Sequence, residues 1–256
     1  MNKRMQDRLG FALIAGVVVC ISGFLLYMVL NHKQKPREDL CEQGRPIRKH
    51  HIFVIDQSDP VPARNIEQLR RIFEKTLREL EKNDRVSIYG MTDSASAYSK
   101  DNRSICNPGR GEEANQLTEN PQRIEASFKN NFVLPLERSL ASEAMTRKSA
   151  QSPILEFLLD VTRVQSLLPP ANEKTYYIVS DFIQHSPLLN QYKEWPAFQE
   201  FERHDAMVFH TPDFRGSEIN LIYVERPEFR GIQSTAHKRF WRDYFLHFRA
   251  GRVNLL

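Results

Sequence analysis

The sequence predicts an α/β domain: an open, mostly parallel sheet with helices on both faces, preceded by one transmembrane helix. Three observations predict it. After residue 50, short apolar runs alternate with amphipathic stretches, the pattern of strands buried on both faces and joined by helical crossovers. Two of those runs end in an aspartate, Asp56 and Asp181, and open sheets of this kind gather ligands outside the carboxyl ends of their strands. Ahead of the domain lies an uncharged apolar run, Gly10 to Leu30, long enough to cross a bilayer.

Residues 1–9 form a basic tail carrying Lys3, Arg4 and Arg8. Residues 10–30, "GFALIAGVVVCISGFLLYMVL", would span about 30 Å as a helix at ~1.5 Å per residue. Lipid leaves open backbone groups unsatisfied, so helix is the conformation expected there. A cleaved signal peptide would have a shorter apolar region and a small-residue cleavage site; "NHKQKPREDL" comes next instead. Residues 31–49 are polar, with Pro36, Gly44 and Pro46, and read as a tether. The domain is expected over 50–256.

Within it, "IFVI" (52–55) is the first strand. "NIEQLRRIFEKTLRELEK" (65–82) carries Ile66, Leu69, Phe73, Leu77 and Leu80 at helical spacing. "RVSIYGM" (85–91) is a second strand, and "CNPGRG" (106–111) is a loop. Residues 121–140 read as a helix interrupted at Pro135. Residues 152–168 read as another, with Ser152 as its N-cap and Pro153 at the first helical position. "TYYIVSDF" (175–182) and "INLIYVER" (219–226) are strands. Residues 234–251 close the domain as a helix whose aromatic residues form a packing face.

The charge balance argues against nucleic-acid binding. The net +4 arises from 36 basic and 32 acidic residues, and no long basic run concentrates on one element. Outside the apolar run there are two cysteines, Cys41 and Cys106, a pair that an oxidising compartment permits to form a disulfide. With the short basic tail resisting translocation, the expectation is a single-pass cell-membrane protein whose domain lies outside the cytoplasm. The raw Lys/Arg count favours the alternative, a cytoplasmic domain.

Asp56 and Asp181 each end a strand. Ser58 lies two residues past Asp56, and Ser152 opens the helix before the strand that ends in Asp181. In a parallel sheet these loops converge on one edge, presenting two carboxylates and two hydroxyls. That all-oxygen set suits Mg²⁺ or Mn²⁺. Each residue also has a plain structural reading. Asp56 and Ser58 serve as turn formers, Ser152 as a helix cap, and Asp181 as a cap for the segment after it.

At this point the sequence resembles a von Willebrand factor type A (vWA) domain, a Rossmann-like fold. The family carries a metal-ion-dependent adhesion site (MIDAS) with D-x-S-x-S after its first strand. "DQSDP" supplies Asp56 and Ser58, with Pro60 at the last serine position. "SPILE" places Ser152 at the family's threonine, and "IVSDF" places Asp181 at its final aspartate. The resemblance implies a binding protein, not an enzyme. A metal on Asp56, Ser58, Ser152 and Asp181 would accept an acidic residue from a partner protein that is membrane-associated or in the same compartment as the domain. Two alternatives stand beside it. One is a Mg²⁺-dependent phosphohydrolase with Asp56 as nucleophile, against which the lack of an acid at position 58 counts. The other is a scaffold that has lost metal binding, as Pro60 suggests.

Overall fold

The computed structural model describes residues 16–27, 39–93, 96–97, 102–115, 118–143, 149–193 and 195–256. It divides into two units, Met1–Pro36 and Arg37–Leu256. In the first, residues 16–27 are helical. Among the described residues no helix is long and apolar enough to cross a membrane. The basic tail, the two ends of the expected span (10–15 and 28–30) and tether residues 31–38 lie outside the described residues.

The second unit is built on six strands: β1 (Ile47–Asp56), β2 (Arg85–Met91), β3 (Arg103–Cys106), β4 (Ala171–Ser180), β5 (Glu218–Tyr223) and β6 (Arg252–Leu255). Their order across the sheet is β3-β2-β1-β4-β5-β6. All neighbours are parallel except β2 and β3. The chain turns back on itself beside β1, so β1 and β4 are adjacent central strands, the switch point where open α/β sheets form their crevice.

The helices are α1 (Ala63–Glu79), α2 (Pro121–Ser127), α3 (Leu134–Glu143), α4 (Ile154–Ser166), α5 (Phe198–Phe201) and α6 (Thr235–His247). They cover both faces because strand side chains alternate. Ile52 and Val54 of β1 face one core with Leu155 and Leu158 of α4 and Trp241 and Phe245 of α6. Phe53 and Ile55 face the other, with Leu69 and Phe73 of α1 and Leu136 of α3.

Several local expectations are corrected. β1 begins at Ile47, inside the stretch read as tether, and Cys41 and Ile47 are buried. Pro135 does not break its helix. A π-helical segment, Phe128–Val133, joins α2 to α3 in one continuous run, and the wider π turn just before Pro135 accommodates the proline inside it. β3 and β6 are too short, at four residues each, to show a periodic signal. The closing helix stops at His247, and Ser234 caps it by accepting from the His237 N–H at 3.4 Å. Cys41 and Cys106 are joined by a disulfide, Cα to Cα 4.9 Å, which clips the segment before β1 to the end of β3.

Candidate functional site

Strand register builds the site. Ile55 of β1 pairs with Val179 of β4, so Asp56 and Ser180 finish their strands side by side. Ser180 donates its hydroxyl to Asp56 Oδ2 at 2.7 Å. Past Asp56 the chain turns at once: the Ser58 backbone N–H and hydroxyl both donate to Asp56 Oδ1, at 3.0 and 2.6 Å. Ser152 arrives from a third segment and donates to Asp56 Oδ2 at 3.3 Å. The Ser58 hydroxyl is also 3.3 Å from Ser152 Oγ.

Ser152 is held there by backbone, not by capping. Its N–H and C=O exchange hydrogen bonds with His185, both 2.9 Å, which ties the start of α4 to the loop after β4. Pro153 occupies the N-cap position of α4, with no side-chain cap bond. The expected N-cap role of Ser152 is thereby corrected: its hydroxyl is spent on Asp56.

Asp181 comes directly after β4, and the next residue, Phe182, takes a left-handed backbone conformation (φ 61°). Such a conformation at a bulky residue is costly and persists only where packing holds it. Here the Phe182 ring stacks on Tyr223, and its carbonyl accepts from Trp241 Nε1 at 2.7 Å. The Phe182 N–H donates to Ser180 Oγ at 2.8 Å, completing the relay from backbone to Ser180 to Asp56. Asp181 Oδ1 accepts the Ile183 N–H at 2.9 Å, and Oδ2 pairs with Arg226 Nε at 3.1 Å.

Arg226 also donates from Nη1 to the Pro60 carbonyl at 2.7 Å. It therefore joins Asp181 to the loop after β1. Gln233 fixes it in place. The Gln233 side chain accepts the Arg226 N–H at 2.7 Å and donates to the carbonyls of Asp181 and Val224 at 3.0 and 2.9 Å.

Electrostatically the site is short of positive charge. Asp56 and Asp181 are 5% and 4% exposed. Burial pushes the Asp56 carboxyl above its ordinary value, against the pull of the Ser58, Ser180 and Ser152 hydrogen bonds. Burial, and next the charge of Asp56, push Asp181 up to about 7, although Arg226 and the Ile183 N–H pull the other way. Tyr192 is pushed up to about 12 by its burial and by nearby Asp181 and Asp59. Its ring meets Phe229 and His185 edge-on, at centroid distances of 5.2 and 5.4 Å, forming an aromatic flank to the site.

The structure thus brings Asp56, Ser58 and Ser152 into direct contact and sets Asp181 within their electrostatic reach. Sequence reasoning missed Ser180, Arg226, Gln233 and Tyr192. Only Ser180, beside Asp181 at a strand end, carried a local signal. Among the described residues no three His, Cys, Asp or Glu side chains gather as a metal-binding group. The cluster instead has two carboxylates and the hydroxyls of Ser58, Ser152 and Ser180. Such hard oxygen donors fit Mg²⁺ or Mn²⁺, and two buried carboxylates of which only Asp181 meets a guanidinium leave room for further positive charge.

These features define a class: an open α/β domain with a buried, oxygen-rich cluster at the carboxyl ends of its central strands. No protein-family model matches the chain, and no curated protein matches it. Among solved structures, the human COPII-coat protein Sec24c is similar over 86% of this chain and 31% of that one, at 12% identity and a TM-score of 0.36. This chain therefore spans under a third of that protein's length, and the likeness carries no functional property across.

Proposed function

We propose that this chain is a membrane-anchored, vWA-like binding domain that engages an acidic residue of a partner protein through a divalent cation. Asp56, Ser58, Ser152 and Asp181 would hold Mg²⁺ or Mn²⁺. The cation, when bound, supplies concentrated positive charge to a carboxylate from outside. The observation that carries this reading is the convergence on Asp56 of hydroxyls from three chain segments, beside a second buried carboxylate whose protonation Asp56 itself favours.

The protein's own residues do the positioning. Ser180 and the Phe182 N–H orient Asp56, the Ser152–His185 backbone pair holds the hydroxyl of Ser152 over it, and Arg226 anchors Asp181. One observation favours the rival scaffold reading: Arg226 reaches Asp181 and the carbonyl of Pro60, the position where the family motif has a serine.

Affinity capture from membranes tests the proposal. Intact protein with Mg²⁺ should retain a specific partner that is lost with Asp56→Ala and with chelator. A partner retained under all three conditions sinks the metal-bridged mechanism, and Mg²⁺-dependent phosphatase activity abolished by Asp56→Asn would replace it with the enzyme.

A further inference from the structure

Beside the oxygen cluster lies a pocket of about 220 Å³ lined by Arg64, Glu225, Arg226, Pro227, Arg230 and Gln233. It shares a wall with the cluster, because Arg226 pairs with Asp181 and Gln233 donates to the Asp181 carbonyl. We infer that this pocket is a second anion subsite, which takes another carboxylate of the same acidic partner segment. The inference deepens the proposed function and rests on it for the identity of the segment.

Three guanidiniums line the pocket against one carboxylate, and that carboxylate is already engaged. Glu225 accepts from Lys238 Nζ at 3.0 Å, and the Lys238 contact holds it below its ordinary value, helped by Arg64 and Arg230. Arg226 is committed to Asp181 and Pro60. Arg64 and Arg230 remain exposed with no carboxylate within ion-pair distance among the described residues, so the field in the pocket is positive. Arg64 also stands in the first turn of α1, a 17-residue helix with no acidic residue there and no side-chain cap. Its N-terminal dipole adds to the attraction for an anion.

The geometry sets the kind of partner. Arg226 both contacts Asp181 and lines the pocket, so the oxygen cluster and the pocket are neighbours across this one side chain. A segment with acids close together in sequence can reach both, and guanidiniums receive carboxylates through paired N–H donors. A partner with a single isolated acid would use only one.

The test is binding of a fluorescein-labelled hexa-aspartate peptide to the full chain in non-ionic detergent, read by anisotropy, with Mg²⁺ and with chelator. Arg64→Gln/Arg230→Gln should weaken binding by about tenfold or more, while the pair Arg239→Gln/Arg242→Gln, which lines a different pocket, should leave it nearly unchanged. Equal weakening by both pairs, no effect of the first pair, or no binding by the wild type overturns the subsite. Full displacement by an equal concentration of inorganic phosphate overturns it too, by marking a phosphate pocket. If chelation leaves arginine-dependent binding intact, the metal reading fails and the subsite stands. If chelation abolishes binding that ignores Arg64 and Arg230, the reverse holds.

Discussion

Asp181 carries the clearest consequence at the scale of single residues. Its carboxyl moves from an ordinary value of 3.8 to about 7 in the folded protein, so the folded state holds a proton that the unfolded chain releases. The stabilisation is therefore fully present below about 4 and is lost as pH rises through about 7. Asp56 shifts in the same direction. The buried His210 and His237, both lowered to about 4 by burial, act oppositely: they favour folding above 6.5 and lose that contribution as pH falls through about 4. Comparing wild type with Asp181→Asn isolates the carboxyl. In chelator, the stability of the variant relative to wild type should rise as pH climbs from about 4 to about 7, as measured by urea unfolding, on top of the loss from the broken Arg226 pair. A constant difference across that range would show that Asp181 is ionised throughout.

Arg226 is the partner of that acid. Removing one side of a buried pair leaves the other uncompensated, at a cost of roughly 3 kcal/mol. Arg226→Gln should lose about this much stability in chelator and recover part of it in Mg²⁺. Equal losses in both conditions would mean that no cation replaces the guanidinium. Nothing in the sequence marked Arg226 as Asp181's partner. It lay at the end of an expected strand, and its contact with Asp181 spans 45 positions.

At the scale of elements, legibility tracked length and periodicity. β2, buried along its length, and α1 and α6, with clear apolar faces, could be read within a few residues, whereas β1 and β4 begin five and four residues before the expected strands, where their burial is partial. β3 and β6 could not, since four residues show no period and their place is set by pairing with β2 and β5. The site was legible as a set of strand ends. Its hydrogen-bond order was not, because that depends on the β1–β4 register and on the His185 bridge that draws Ser152 away from a capping role. Capping remains a usable lever at α6: Ser234→Ala should cost about 1 kcal/mol by thermal denaturation. Gly111 is a stricter position, since a Cβ there would come within 2.7 Å of the Pro121 carbonyl. Gly111→Ala should cost roughly 1–3 kcal/mol, and a neutral effect would show that the loop before α2 shifts freely.

For the whole molecule, two devices hold the domain and its site together. One is the pair of cores that clamp the sheet between its two layers of helices. The other is the Cys41–Cys106 disulfide, which closes a loop across 65 positions. In the chain-entropy account it contributes roughly 4 kcal/mol, so Cys41→Ser/Cys106→Ser should unfold at clearly lower urea concentration than wild type. The same double variant should match wild type measured in reductant; a further difference there would point to packing, not cross-linking.

The central claim is that the cluster around Asp56 holds a divalent cation, and the thermal unfolding of the full chain with and without Mg²⁺ or Mn²⁺ tests it most directly. A cation bound only to the folded state raises stability by about 2.7 kcal/mol at a hundredfold excess over its dissociation constant. Wild type should show that metal-dependent rise, and Asp56→Ala and Asp181→Ala should not. A wild-type transition that saturating metal leaves unmoved, or a rise of equal size in all three proteins, would contradict the account.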